Sequence, residues 1–369
     1  MRMYIIMLFC FILENSWFFA QNKRPILKYN IAKSINYEDN SNGYFIGKIL
    51  DLGVNDDKDI YVLDGDEKNI KEIDFSGKII NTFGRSGRGP GEFLHPYKIF
   101  INSQNKVIVF DDGNQKISIF SKTGNLLEEK PFSKMVRKFR LDTKNNYIFE
   151  ELNIKYEKGI QYVKSVLTIY DEKLRLIAKI DSSNFYKSKK KYSNIGYVKY
   201  PYPSMMKWEL IDGNNIIVLN TRKKFANIYN NTGKKIRKIV LNMAQNKLSF
   251  HDQQLYFQKE LFRQKDRSLD FGAPLEVRKL TIFPKTLPYF QSLLYDPNGY
   301  LFIKLDLFND SQNEYLIIDK NYKERTIELP GYIFNKRTIF KSNDLIVWTP
   351  GIIRFPTINI YHLTREPKF

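Results

Sequence analysis

Six short apolar runs return along this chain at near-regular intervals: Ile60-Tyr61-Val62-Leu63-Asp64, Val107-Ile108-Val109-Phe110-Asp111, Tyr147-Ile148-Phe149-Glu150-Glu151, Ile216-Ile217-Val218-Leu219-Asn220, Leu301-Phe302-Ile303-Lys304-Leu305 and Leu345-Ile346-Val347-Trp348-Thr349. Each is too short for a helix and rich in β-branched or aromatic residues, so each predicts a strand. Turns, further runs of the same kind and glycine-centred hairpins follow. The interval is 47 residues from Ile60 to Val107, 40 from Val107 to Tyr147 and 44 from Leu301 to Leu345. A four-stranded unit repeated at that period buries its faces only against its neighbours, which is the plan of a β-propeller. The fold expected is an all-β ring of six blades.

The first two blades can be followed strand by strand. Blade 1 reads as 45–52, 59–64, 69–75 and 78–84, with a turn at Ser76-Gly77; blade 2 as 97–102, 106–111, 115–120 and 125–131, with a turn at Thr123-Gly124. Glycine supplies the positive backbone angle that tight hairpins demand. Blade 6, read as 336–341, 344–349 and 357–363, is one strand short when the chain reaches Phe369. An open edge there invites aggregation, and 26–35, strand-like and upstream of blade 1, is the expected closing strand.

Two intervals are longer, 69 residues from Tyr147 to Ile216 and 85 from Ile216 to Leu301, and predict insertions. The first, about 181–203, interleaves Phe185, Tyr186, Tyr192, Tyr197, Tyr200 and Tyr202 with Lys187, Lys189, Lys190, Lys191 and Lys199. Rings beside ammonium groups suit acidic glycans or single-stranded nucleic acid; the bland alternative is a loop packed on the ring. In the second, about 242–288, Leu248, Leu255, Tyr256, Phe257, Leu261 and Phe262 fall at helical spacing, predicting an amphipathic helix over 249–264 that caps one ring face or docks a partner.

Composition fits one large domain, residues 21–369: hydrophobic residues are 43% and aromatics 15%, enough for the cores between blades. Residues 1–20 read as a signal peptide, with Arg2, the apolar stretch 4–13 and Ala20 before the polar Gln21. An uncleaved anchor is the alternative. Cys10, the one cysteine, lies in that stretch, so a chain cut after Ala20 has neither a disulfide nor a thiolate nucleophile. The expected location is exported: periplasmic, cell-surface or secreted.

Charge narrows the partners. Lys and Arg number 59 against 40 Asp and Glu, a formal +19; the leader holds one of each sign, Arg2 and Glu14, so the balance survives its removal. Such a field attracts polyanions: acidic glycans, anionic surfaces or nucleic acid. For an exported chain the first two are the expected partners.

One segment carries a resemblance. Phe83-Gly84-Arg85-Ser86-Gly87-Arg88-Gly89-Pro90-Gly91-Glu92-Phe93-Leu94-His95-Pro96 resembles the blade linker of NHL-repeat propellers, and is similar to that of six-bladed propellers among bacterial exported proteins. The likeness is specific over 45–142 and rests on strand pattern alone beyond it. It implies the propeller fold and says little of function, since most relatives have no established activity. Read as a phosphate cradle, the segment lacks the Gly-Lys-Ser/Thr that must follow. It is expected to be a crossing between blades that leaves Arg85, Arg88 and His95 on a ring face.

Catalytic sets are thin. His95, His251 and His362 are far apart on unlike segments, no Gly-x-Ser-x-Gly elbow occurs, and the acidic sets Asp56-Asp57-Asp59, Asp111-Asp112 and Glu150-Glu151 fall at strand ends, where turn formation is the simpler role. The sequence assigns no catalytic or metal-binding residue and points to no particular cofactor. Propeller lactonases and lyases share the plan, but their ligands map onto no particular positions here. The reading is a non-enzymatic exported propeller binding a partner protein or acidic polymer through a loop face that carries Arg85, Arg88, His95, Lys189, Lys190, Lys191, Tyr192 and Tyr197. A metal-dependent lactonase- or lyase-like enzyme and an NHL-like nucleic-acid binder are the alternatives.

Overall fold

A computed structural model describes residues 29–36, 46–74, 76–157, 160–190, 197–198, 201–266, 281–296, 299–305, 312–330, 338–341, 344–349 and 357–363. The apolar runs are the second strands of six successive antiparallel sheets. In blade 1 the strands are Ile49–Val54, Ile60–Asp64, Asn69–Ile73 and Ile79–Phe83; in blade 2, Pro96–Ile101, Val107–Asp111, Lys116–Phe120 and Leu126–Pro131. Every residue of Ile60–Asp64 and Val107–Asp111 is buried, whereas Leu126–Pro131 is largely exposed. A blade is covered by its neighbours over its middle strands and meets water at its outer one, so only the middle strands read as continuous apolar runs.

The core lies between blades. Tyr61, Leu63 and Ile70 of blade 1 pack on Ile99, Val109 and Phe120 of blade 2. Phe110 and Ile117 continue the ring onto Phe139, Phe149 and Tyr170 of blade 3, and Ile148 and Leu167 onto Trp208 and Val218 of blade 4. Ile217 and Ile228 then meet Ile303 and Leu316 of blade 5.

The ring closes with a strand from each end of the chain. Tyr29–Asn36 lies antiparallel on Thr357–Leu363, from Tyr29↔Leu363 to Asn36↔Thr357, and makes the outer strand of blade 6 beside Asp344–Thr349 and Thr338–Lys341. Ile35, Ile358 and Ile360 bury themselves against Ile46, Ile49 and Ile60 of blade 1.

One turn recurs at the ring face away from the blade crossings. The side-chain oxygens of Asp74, Asn102, Asp142, Asp171, Asn230 and Asp319 each accept from the N–H groups two and four residues on. The residue three on is forced to positive φ: Gly77, Asn105, Asn145, Leu174, Gly233 and Tyr322. Glycine or asparagine there matches the local geometry; Leu174 and Tyr322 are held by the turn around them.

Two blades depart from the bare plan. In blade 3 the strands after Val136–Leu141 are long, Tyr147–Glu157, Ile160–Tyr170 and Leu176–Lys190, so that 181–190, expected within a connector, continues the outer strand. The register of the first two runs unbroken from Tyr147↔Tyr170 to Glu157↔Ile160, and the outer strand follows to Ile160↔Lys189 through three bulges, forming a three-stranded wing that stands out from the ring. Between blade 4 (Met206–Ile211, Asn215–Asn220, Phe225–Tyr229, Lys235–Val240) and blade 5 (Ser292–Tyr295, Leu301–Lys304, Gln312–Ile318, Glu324–Pro330) lies the expected helix, Phe250–Asp266. Its start is a reciprocal cap: Asp252 N–H donates to Ser249 Oγ at 3.1 Å, and Asp252 Oδ2 accepts from Ser249 N–H at 2.8 Å.

Candidate binding face

Strand direction alternates within each blade, so every crossing from an outer strand to the next inner strand falls on one ring face. The turn after each second strand falls there too. The glycine-rich segment is one such crossing, and much of its backbone polarity is satisfied within the protein. Glu92 accepts from Gly89 N–H at 2.7 Å and from Arg85 Nε at 2.8 Å; these bonds and the Arg85 charge hold its carboxyl below the usual range. Asn114 Nδ2 reaches Gly87 O at 2.9 Å and Glu92 O at 3.2 Å, and Lys116 Nζ reaches Gly89 O at 2.9 Å. Phe93 is fully buried between blades, and a Cβ on Gly84, where φ is +77°, would stand 2.5 Å from its ring. Asp111 then clasps the crossing to the blade, accepting from Leu94 and His95 N–H, both at 2.8 Å, and from Gly113. Asp64 makes the same clasp one blade earlier, on Gly47 and Lys48.

The expected site residues divide accordingly. Arg85 is exposed but paired with Glu92, while Arg88 and His95 are exposed beside it. Lys189 and Lys190 lie at the far end of the wing's outer strand, their backbones paired with Val198 and Tyr197. Lys191 and Tyr192 lie outside the described residues. Arg85, Arg88 and His95 belong to the crossing from blade 1 to 2, whereas Lys189 and Lys190 end the outer strand of blade 3, which runs toward the same ring face. The crossing at 132–135 comes between them.

Beside that intermediate crossing the wing bounds an open cleft of about 860 Å³, lined by Lys134, Met135, Asn153, Lys164, Lys179 and Asp181 among others. Lys134 is tied to Glu151 at 3.1 Å and also bonds Tyr170. Lys164 and Lys179 are exposed and have no ion-pair partner among the described residues. Tyr202, in the chain leading from blade 3 into blade 4, packs edge-on against Tyr256 of the helix at 5.7 Å, and Tyr256 and Phe257 close on Phe283. The helix therefore sits over the same ring face. Leu261 and Phe262, expected on its apolar stripe, lie beyond the described side chains.

A second charged set lies on the first two strands of the blades; the sequence singled out only its Glu150, expected at a strand end, whereas the structure buries it within Tyr147–Glu157. Glu209 of blade 4 holds Lys138 at 2.7 Å and Arg140 at 2.8 Å, both from blade 3. Burial would raise the Glu209 carboxyl, but Arg140 and Lys138 outweigh it and leave it below the usual range. Burial pushes Lys138 down to about 8 despite the Glu209 charge, and its ammonium lies 4.8 Å over the Trp208 ring. Glu150, fully buried, takes Arg137 Nε at 2.8 Å and Trp208 Nε1 at 3.1 Å. Asp51 of blade 1 lies 3.5 Å from Lys98 of blade 2, and burial raises its carboxyl. Each of these charges is answered by a protein group, so the set braces adjacent blades.

Comparisons with known proteins agree with this architecture. A family model described as a six-bladed beta-propeller matches residues 41–205. Protein lin-41 of Caenorhabditis elegans is 39% identical over 62 residues, 17% of this chain, and NHL repeat-containing protein 3 of Homo sapiens is 35% identical over 81 residues, 21% of this chain. The matches span only 5% and 23% of those relatives' lengths. Among solved structures, a Bacteroides fragilis protein described as exported aligns over 93% of this chain and 97% of its own with a TM-score of 0.53 at 13% identity. A DUF4221-family protein of Bacteroides vulgatus covers 93% and 100% with a TM-score of 0.52 at 8% identity. At such identities the likeness concerns the fold alone. Sheet order and these matches make the chain a six-bladed β-propeller, one whose linker region is similar to that of NHL-repeat proteins.

Proposed function

We propose that this chain is an exported, non-enzymatic propeller that binds an anionic partner, a protein or an acidic polymer, through the crossing face. The observation that carries the reading is the wing of blade 3, which lifts Lys164 and Lys179 into solvent over the cleft with no carboxylate paired to them among the described residues. A structural brace would spend those charges, as Lys138 and Arg140 are spent on Glu209. The formal +19 adds a long-range field that draws polyanions to the same face. Arg88, His95, Lys189, Lys190, Lys191, Tyr192 and Tyr197 extend the surface in this reading, and an N-terminus near Gln21 on the exported product accompanies it.

Heparin, an acidic polymer without peptide groups, is the test ligand. Replacing Lys164 and Lys179 by Ala, and separately Lys189, Lys190 and Lys191 by Ala, weakens binding and flattens its dependence on salt, because fewer counterions are displaced. Lys164 and Lys179 are exposed, so their replacement leaves the thermal transition within roughly 0.5 kcal/mol of the parent. Unchanged affinity and salt slope in both variants reject the surface.

A further inference from the structure

We infer that the wing's open edge receives an extended, alternately acidic and apolar segment of the partner, added as a further strand. The inference rests on the binding reading above and gives its mode of recognition. In blade 3 the second strand is longer than the inner strand beside it. Val136 faces Glu151, and Leu152 N–H donates to Met135 O at 2.9 Å; there the inner neighbour turns away into the crossing. In an antiparallel strand the N–H and C=O of every second residue point to the same side. Ile154 and Tyr156 therefore point theirs as Leu152 does, away from Ile160–Tyr170, and no described residue pairs with them there. Among the described residues nothing fills this continuation of the inner strand's own position.

Side chains along the edge state what would fit it. Ile154 and Tyr156 share one face and are 43% and 72% exposed, a small apolar strip. Asn153 and Lys155 share the other, with Lys164 directly across from Asn153 and Lys134 at the foot. Lys155 pairs with Glu157, Lys134 with Glu151, and Asp181 also lines the cleft, so the uncommitted charge on this side is that of Lys164 and Lys179. An incoming strand has the same period of two, so it would set apolar residues beside Ile154 and Tyr156 and acidic ones toward the lysines. A second copy of this chain is a poor occupant: Lys155 stands in the middle of the edge, a device that blocks self-pairing, and both copies carry the +19 charge.

A short capped peptide of alternating glutamate and valine is the probe. Its addition should slow hydrogen exchange at the Ile154 and Tyr156 amides of the full chain. A peptide of the same composition with its glutamates and valines in separate blocks should not. Ile154→Pro removes an N–H that faces outward, which an edge strand tolerates, and should weaken the peptide at least tenfold while heparin binding holds. Ile154→Ala keeps the N–H and should lose much less. Equal binding of the block peptide, unaltered exchange at both amides in the parent protein, or full peptide affinity in a folded Ile154→Pro chain each overturns the inference. So does a free protein that is already dimeric with those amides protected. Heparin cannot add a strand, so the charged surface and the edge fail separately.

Discussion

Closure by Tyr29–Asn36 makes one buried residue far from the rest of its sheet in sequence a keystone, and the cost of trimming it can be worked out. Ile35 is 6% exposed and packs with Ile46, Ile49, Ile358 and Ile360, so it touches the last blade and the first at once. A Cβ on Gly77 would come within 2.9 Å of its Cγ2, so the turn of blade 1 also leans on it. Ile35→Ala removes the buried atoms and leaves a cavity the surrounding isoleucines fill only in part, a change that costs about 2–5 kcal/mol in well-packed cores. At roughly 2 °C per kcal/mol for a domain of this size, the calorimetric transition should fall by about 4–10 °C. Leu127→Ala, on the outer strand of blade 2 at a site 52% exposed, is the control and should stay within about 0.5 kcal/mol of the parent. Deleting 29–36 should go further, leaving Thr357–Leu363 as a bare edge and driving self-association. If Ile35→Ala costs no more than Leu127→Ala, or the deletion leaves the transition in place, the closure argument is wrong.

Two further outcomes follow from the inner strands and the linker. Lys138 sits at about 8 against an ordinary value of 10.5. Between those pH values the unfolded chain binds a proton the folded chain does not, so this residue's burial cost is full below pH 8 and is relieved as pH rises to 10.5; the melting temperature of the parent minus that of Lys138→Met should therefore climb across that window, and a flat difference refutes the depressed value. Asn114→Ala loses bonds to Gly87, Glu92 and Asp111, which should cost about 1–3 kcal/mol and speed amide exchange through the glycine-rich crossing, whereas unchanged exchange there would show that the clasp does not hold it.

How much of this was legible depends on whether a signal is local. The second strands were readable because both faces of each are covered, which removes polar residues from the run, as in Ile60–Asp64. The closing strand was readable because a ring cannot tolerate the edge that a three-stranded last blade would leave. The wing was half readable: Asn153-Ile154-Lys155-Tyr156 alternates like a strand with one face in water, but the aromatic and lysine-rich stretch after Asp181 carries no turn signal to mark where the outer strand ends. Only the pairing of Leu167 with Asp181 and of Ile160 with Lys189 reveals one sheet. The braces were hidden for another reason. Lys138 and Glu209 are 71 residues apart, and Arg137-Lys138-Phe139-Arg140 looks like surface charge until the neighbouring blade supplies its carboxylate.

The glycine-rich crossing and the wing show why motif density is a poor guide to a binding site in this fold. The crossing has the features that most invite a ligand: three arginine and histidine side chains, close-set glycines and a carboxylate. The N–H groups of Gly89, Leu94 and His95 are nevertheless committed to Glu92 and Asp111, the carbonyls of Gly87, Gly89 and Glu92 accept from Asn114 and Lys116, and what remains outward is Arg88, His95 and an Arg85 already paired. In the wing Ile154, Tyr156, Lys164 and Lys179 fall in no motif, yet they leave two lysines, an apolar strip and two backbone N–H groups without partners among the described residues. Unspent bonding capacity, not residue type, separates a surface that can bind from a segment that holds the ring together. A ligand that reads the wing must satisfy charge on one side and apolar contact on the other while offering its own backbone between them.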